Sequence, residues 1–227
     1  MALNEYGDTL IENDGKGADI ASQRLDDLDS RCISMARVAS IECPIVVLDV
    51  GAGRCAMANA LAALPSVKAI AVDPGDYNSF AEDGVTYIKR TIEQFLSSEP
   101  VPEFHLIYSQ RTIHYLPFDQ ASAALAAAAA RIQSPGYLFL SASGMGTELS
   151  LGYPAVEEPV DRRFAKLAPD MQEKHGIRQT VCLYSPDELS SLVEASGWVV
   201  VDVTVSEFGN VKLVAVAKRH IDKGAAQ

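Results

Sequence analysis

Val47-Leu48-Asp49-Val50-Gly51-Ala52-Gly53-Arg54-Cys55-Ala56 is the stretch on which the fold turns. The run Ile45–Val50 is apolar and mostly β-branched, broken only by Asp49, as expected for a strand buried on both faces of a parallel sheet. Gly51-Ala52-Gly53 ends it, and Cys55–Leu64 resumes as a helix of small residues. A strand that passes through glycines into a helix leaves backbone N–H groups and a positive dipole end above the sheet. Glycines there let a ligand approach the backbone without meeting a Cβ. The same residues also make a tight turn with no ligand, and glycines alone do not separate the two readings.

Outward from this loop the chain alternates strand and helix. Lys68–Val72, Val85–Lys89, Phe104–Ser109 and Tyr137–Ala142 read as further strands. Short helical patterns lie between them, including Ile92–Leu96 and a longer helix capped by Asp119 and running to Ile132 before Pro135-Gly136. Ser185-Pro186-Asp187-Glu188 opens another helix, which Gly197 closes. The strands Trp198–Glu207 and Val211–Lys218 are joined by too few residues for a crossover, so they pair antiparallel. This pattern predicts an α/β class: a Rossmann-like, doubly wound, mostly parallel seven-stranded sheet with a C-terminal antiparallel hairpin and helices on both faces. Residues 1–44 read as an N-terminal segment covering the site, with a loose start to Gly17 and helix from Ala18 to Ser40. Residues 45–218 form the main domain, and 219–227 a tail. Within that domain Gly144–Thr180 breaks the rhythm and is long enough to be a lid or substrate-facing insertion, with a helix near Arg162–Lys174.

The 227 residues carry 19 basic and 30 acidic side chains, a formal charge of −11. That balance repels phosphate backbones and anionic lipid, and no basic patch offsets it, so neither nucleic acid nor membrane is an expected partner. Cys32, Cys43, Cys55 and Cys182 show no metal-type spacing and fit reduced thiols. Met1 to Gly17 is too polar for a secretory signal, and the alanine run Ala121–Ala130 is too short to span a bilayer, which points to a cytoplasmic protein. The histidines are scattered, and neither a metal cluster, a GxSxG elbow nor a P-loop is present. Oligomeric state is left open by the sequence.

Asp73 lies just beyond the second strand, roughly twenty residues after the glycine loop, where a carboxylate can accept hydrogen bonds from ribose hydroxyls. It also belongs to the turn Asp73-Pro74-Gly75-Asp76. Gly51-Ala52-Gly53-Arg54-Cys55-Ala56 satisfies the GxGxxG/A dinucleotide pattern, so an NAD(P)-dependent oxidoreductase is one reading. Two features oppose it. Asp49 brings negative charge towards a pyrophosphate but welcomes an ammonium group, and the terminal hairpin replaces a second mononucleotide half.

The segment Asp49-Val50-Gly51-Ala52-Gly53 resembles the first motif of class I S-adenosylmethionine-dependent methyltransferases, and the likeness runs from about Ile45 to Lys218. The resemblance implies S-adenosyl-L-methionine as cofactor. Asp49 and the backbone of Gly51, Ala52 and Gly53 would receive its amino-acid end, and Asp73 with Pro74 its ribose. Thr91, Ile92 and Glu93 would flank adenine. Ser109 and Gln110 would line the cofactor, while Arg111, His114 and Tyr115 would face a small-molecule acceptor methylated at O or N. Cys55 replaces the usual third glycine, Thr91 a frequent acid and His105 a frequent Asp. Of the acceptor-side residues His114 has the reference pKa suited to taking a proton, although a surface histidine is the plainer reading. Arg111, Arg162 and Arg163 would suit an anionic acceptor if they faced it. A noncatalytic cofactor-binding protein of the same fold is the remaining alternative.

Overall fold

The computed structural model describes residues 26–98 and 102–218. Helix α1 (Asp27–Glu42) starts at a capping box, in which Asp26 accepts from the N–H groups of Leu28 and Asp29 while Asp29 accepts from Asp26. The parallel strands are β1 (Ile45–Val50), β2 (Val67–Asp73), β3 (Val85–Lys89), β4 (Phe104–Gln110) and β5 (Ile132–Ala142), connected through α2 (Ala56–Ala62), α3 (Ile92–Leu96) and α4 (Phe118–Ala130). Between β5 and the last helix lie the two-residue strands β6 (Ala165–Lys166) and β7 (Thr180–Val181), with α5 (Pro169–His175) between them. Helix α6 (Pro186–Ala195) then leads to β8 (Trp198–Val205) and β9 (Val211–Ala217). The main sheet has the order β3-β2-β1-β4-β5-β9-β8, with β9 antiparallel to both β5 and β8. The seven strands and the closing hairpin are those that the alternation of elements implied.

Side-chain alternation along β1 builds two cores. Leu48 and Val50 pack with Phe95, Leu125 and Leu192 from α3, α4 and α6, while Ile45 and Val47 pack with Cys32, Met57 and Leu61 from α1 and α2. Successive strand residues point to opposite faces, so a strand covered on both sides must be apolar throughout. Trp198 is fully buried and donates its indole N–H to the Leu125 carbonyl, which ties β8 to α4.

Several boundaries differ from the sequence reading. Strand β5 begins at Ile132, which pairs with Phe104 across a register shift, so the chain is extended before Pro135-Gly136 and the helix ends at Ala130. Pro117 takes the cap position of α4, and Asp119 contributes its charge from the first turn instead. In the insertion, helix forms only over Pro169–His175, since Pro169 is well placed at a helix start and Gly176 closes it in the left-handed region. Arg162–Lys166 is turn and strand instead. The insertion has a small core of its own, including Leu149, Tyr153, Leu167, Met171 and Ile177. Of the N-terminal segment, residues 1–25 fall outside the described residues, and with them the start of the helix expected from Ala18; the tail from Arg219 does so too. No described helix is long and apolar enough to cross a membrane.

Candidate functional site

A cavity of about 1090 Å³ runs along the carboxyl ends of the strands. One end is formed by β1, β2 and the β3–α3 junction, with Gly51, Gly53, Asp73, Pro74, Thr91, Ile92 and Glu93 in its wall. The other lies beyond β4 and β5, where the insertion and the β8–β9 turn close over Arg111, His114 and Tyr115. Pockets for one drug-sized molecule span roughly 300–1,000 Å³, so this volume admits two ligands side by side.

The glycine loop is tighter than its sequence suggests. Gly51 has φ +70°, and a Cβ there would stand 2.0 Å from the Thr112 hydroxyl. The N–H groups of Gly51 and Ala52 donate to the Val72 carbonyl at 2.8 and 3.3 Å, and that of Gly53 donates to Asp73 Oδ2 at 3.0 Å. The donors expected for a ligand are therefore engaged with β2, and the glycines serve by their compactness. Asp73 also accepts from Gly75 N–H at 2.7 Å. Each of its oxygens has a second lone pair for a hydroxyl donor.

Asp49 is buried and does not line the cavity. Its carboxylate accepts from Ala58 N–H at 3.1 Å and caps the first turn of α2, where Cys55 in the left-handed region makes no side-chain cap bond. Ala52 and Ser109 also lie behind the wall. Thr91 lines the cavity while its hydroxyl caps α3 in a capping box with Gln94. Gln110 is in the wall too and donates to Asp26 Oδ2 at 2.9 Å.

At the other end of the cavity the surroundings of the proposed residues differ from the sequence reading. His114 is almost fully buried, between Tyr115 (ring centroids 4.3 Å apart) and Ser143, whose hydroxyl lies 3.4 Å from Nε2. Burial, then the nearby Arg111 charge, pushes its pKa down to about 3, so at neutral pH the ring is uncharged and a weak base. Arg162 is exposed, and the Arg163 guanidinium is spent on Glu188 and the Glu158 and Leu183 carbonyls. Neither lines the cavity.

Sequence reasoning missed Thr112, Lys212 and the insertion's Glu148 and His175, all in the wall. Lys212 is buried in β9 and pairs with Asp26 at 2.7 Å and with Asp27. Burial disfavours its charge, but the hydrogen bonds it donates to both carboxylates more than offset this and hold its pKa above the ordinary value. A lysine in an apolar strand was the available signal. No group of three or more potential metal ligands occurs among the described residues.

The sequence profile of a methyltransferase domain matches residues 23–203, most of the chain. The chain belongs to the methyltransferase domain family. Its fold is shared with solved methyltransferases. The 1,6-didemethyltoxoflavin N1-methyltransferase of Burkholderia thailandensis, with bound 1,6-didemethyltoxoflavin and S-adenosylhomocysteine, is 17% identical with a TM-score of 0.61, over 88% of this chain and 81% of that one. The CcbJ methyltransferase of Streptomyces caelestis is 14% identical with a TM-score of 0.60, over 89% and 97%. Magnesium protoporphyrin IX methyltransferase of Synechocystis, with bound S-adenosylmethionine, is 12% identical with a TM-score of 0.54, over 87% and 79%. No match was found among curated proteins. In this methyltransferase-domain protein the cavity lies at the carboxyl ends of the strands, which is where open α/β sheets bind ligands.

Proposed function

We propose that the protein is an S-adenosylmethionine-dependent methyltransferase acting on a small-molecule acceptor at oxygen or nitrogen. The observation that carries this reading is the charge of the cavity wall. Asp26, Asp27, Asp73, Glu93, Glu148 and Glu207 line it, against Arg111 and Lys212 as fixed cations. Such a wall favours a ligand bearing a sulfonium and an ammonium group and disfavours the pyrophosphate of a nicotinamide dinucleotide. The left-handed Gly51 and Gly53, the Asp73 carboxylate and a volume for two molecules fit the same cofactor. The bound small molecule and S-adenosylhomocysteine of the Burkholderia enzyme support a small acceptor here as well.

In this reading the cofactor supplies an electrophilic methyl group on sulfur, and the chain supplies alignment. Asp73 holds the ribose, with Pro74 beside it, and Thr91, Ile92 and Glu93 hold the base. Gln110, fixed by Asp26, borders the amino-acid end, and Asp49 acts indirectly by fixing the start of α2. Arg111, His114 and Tyr115 face the acceptor at the far end of the cavity, with neutral His114 orienting it. The insertion covers the acceptor and excludes water.

Calorimetric titration tests the first step. S-adenosylhomocysteine is expected to bind with one site per chain, and NADH is expected not to bind. Tight NADH binding without S-adenosylhomocysteine binding would replace this reading with the oxidoreductase one.

A further inference from the structure

The insertion brings two chemistry-bearing side chains to the acceptor end of the cavity. Glu148 opens the short 3-10 turn Glu148–Ser150, which is secured by Thr147, whose hydroxyl donates to Gly144 O at 2.7 Å. His175 is the last residue of α5, just before the left-handed Gly176. Although they are far apart in sequence, His175 Nε2 lies 2.8 Å from Glu148 Oε1, within ion-pair distance. Lys174 takes the other carboxylate oxygen at 2.7 Å. Both Glu148 and His175 line the cavity, and the two side chains are only 28% and 15% exposed. Leu149 and Ile177 flank them in the wall as apolar neighbours.

This pair meets a need that the rest of the site leaves unmet. An oxygen or nitrogen nucleophile that starts as O–H or N–H gains positive charge on methylation and must lose a proton. His114 is a weak base, for the reasons given above, and Arg111 cannot accept a proton. His175 sits at the carbonyl end of a helix, with its Nε2 2.8 Å from Glu148 Oε1, so a proton arriving on the ring would meet a carboxylate and helix carbonyls.

We propose that His175, paired with Glu148, receives the acceptor's proton, and that the acceptor is therefore a neutral molecule presenting a hydroxyl or amine N–H. The proposal rests on the methyltransferase reading. In the step, a bond forms from the nucleophile to the methyl carbon. The carbon–sulfur bond breaks with its electron pair left on sulfur, and the proton passes from the nucleophile to the His175 imidazole. His175 is then a catalytic residue and Glu148 a positioning one.

The test uses binding to the full-length protein saturated with S-adenosylhomocysteine, so it requires no known acceptor. Phenol and its methyl ether anisole serve as probes, alike in shape but differing in the O–H. Phenol is expected to bind about tenfold more tightly than anisole. His175→Phe and His175→Leu should both abolish that preference without changing the affinity for S-adenosylhomocysteine. Glu148→Gln should weaken it, and Glu148→Asp should restore it in part, a pattern that a merely structural role does not produce. Equal binding of the two probes to the wild type, binding of neither, or a preference that survives both His175 variants overturns the proposal. Failure of S-adenosylhomocysteine to bind would instead overturn the cofactor reading beneath it.

Discussion

At the scale of single residues, the glycine loop is governed by contact as much as by dihedral angle. A Cβ on Gly51 would fall 2.0, 2.5 and 2.7 Å from Thr112 Oγ1, Cγ2 and Cβ, and its φ is +70°. Thr112 is itself fixed by hydroxyl hydrogen bonds to Val50 O at 3.3 Å and Gln110 O at 3.2 Å. Gly51→Ala should therefore destabilise the protein by about 2–4 kcal/mol, the sum of left-handed strain and overpacking. Thr112→Gly removes the obstructing side chain, so in that background Gly51→Ala should cost only the strain. Urea midpoints of the four proteins in this cycle measure the coupling. Strictly additive losses would show that the Thr112 contact does not constrain the loop. The need for glycine was legible in the sequence, but its partner was not, because Thr112 lies in a different loop.

At the scale of elements, the insertion is pinned to α6 by one buried cation. Arg163 is 8% exposed and donates to Glu188 at 2.7 Å and to the carbonyls of Glu158 and Leu183, both at 3.0 Å. Glu188 is at the same time the capping-box acid of α6. Burial pushes the Glu188 carboxyl up, but Arg163 and Ser185 outweigh this and hold it below its ordinary value. Arg163→Met should cost about 3 kcal/mol, since it leaves a half-buried carboxylate and two carbonyls without this donor. Protease susceptibility within residues 144–180 should rise before global unfolding. A variant with unchanged stability and unchanged cleavage would show that the insertion is held elsewhere.

The parallel strands and the hairpin were readable because buried strands are uniformly apolar and a three-residue link permits no crossover. The insertion was not readable in detail. Its helix begins at Pro169 and not Arg162, and its contacts join residues far apart in sequence, as between the Tyr153 hydroxyl and the Val181 carbonyl, 28 positions away. No local periodicity encodes such contacts. The residues proposed for the cofactor were legible as a group because they follow successive strands, and Gly51, Gly53, Asp73, Pro74, Thr91, Ile92, Glu93 and Gln110 line the cavity. The opposite wall was not, because it comes from the insertion and the last hairpin.

At the scale of the whole molecule, stability depends on pH through carboxylates that folding shifts in opposite directions. Asp29 is buried where α1 meets the sheet and accepts a hydrogen bond from the Tyr108 hydroxyl. Burial raises its pKa to about 6 from 3.8, with the Tyr108 and Asp26 hydrogen bonds opposing. The folded state thus binds this proton more tightly than the unfolded chain does. Its contribution is greatest below pH 3.8 and falls as pH rises through about 6, by about 3 kcal/mol in all. Asp27 runs the other way, since its hydrogen bond to Lys212 lowers its pKa, and Glu188 is lowered as well. Their contributions are present above the ordinary carboxylate range and are lost as pH falls below it. The two trends give a stability maximum on the mildly acidic side of neutrality, and the net charge of −11 adds self-repulsion as pH climbs. Asp29→Asn isolates the buried group. The amide oxygen can still accept from Tyr108, but its NH₂ faces the Asp26 N–H, so the variant should lose about 1 kcal/mol at every pH. That offset is uninformative; the slope is the signal. Between pH 4 and 7 the unfolding free energy of the variant should fall by about 3 kcal/mol less than that of the wild type, measured by urea denaturation at fixed ionic strength. Parallel curves would mean that Asp29 is ionised in the folded protein throughout, and that the junction of α1 with the sheet holds a charge rather than a neutral acid.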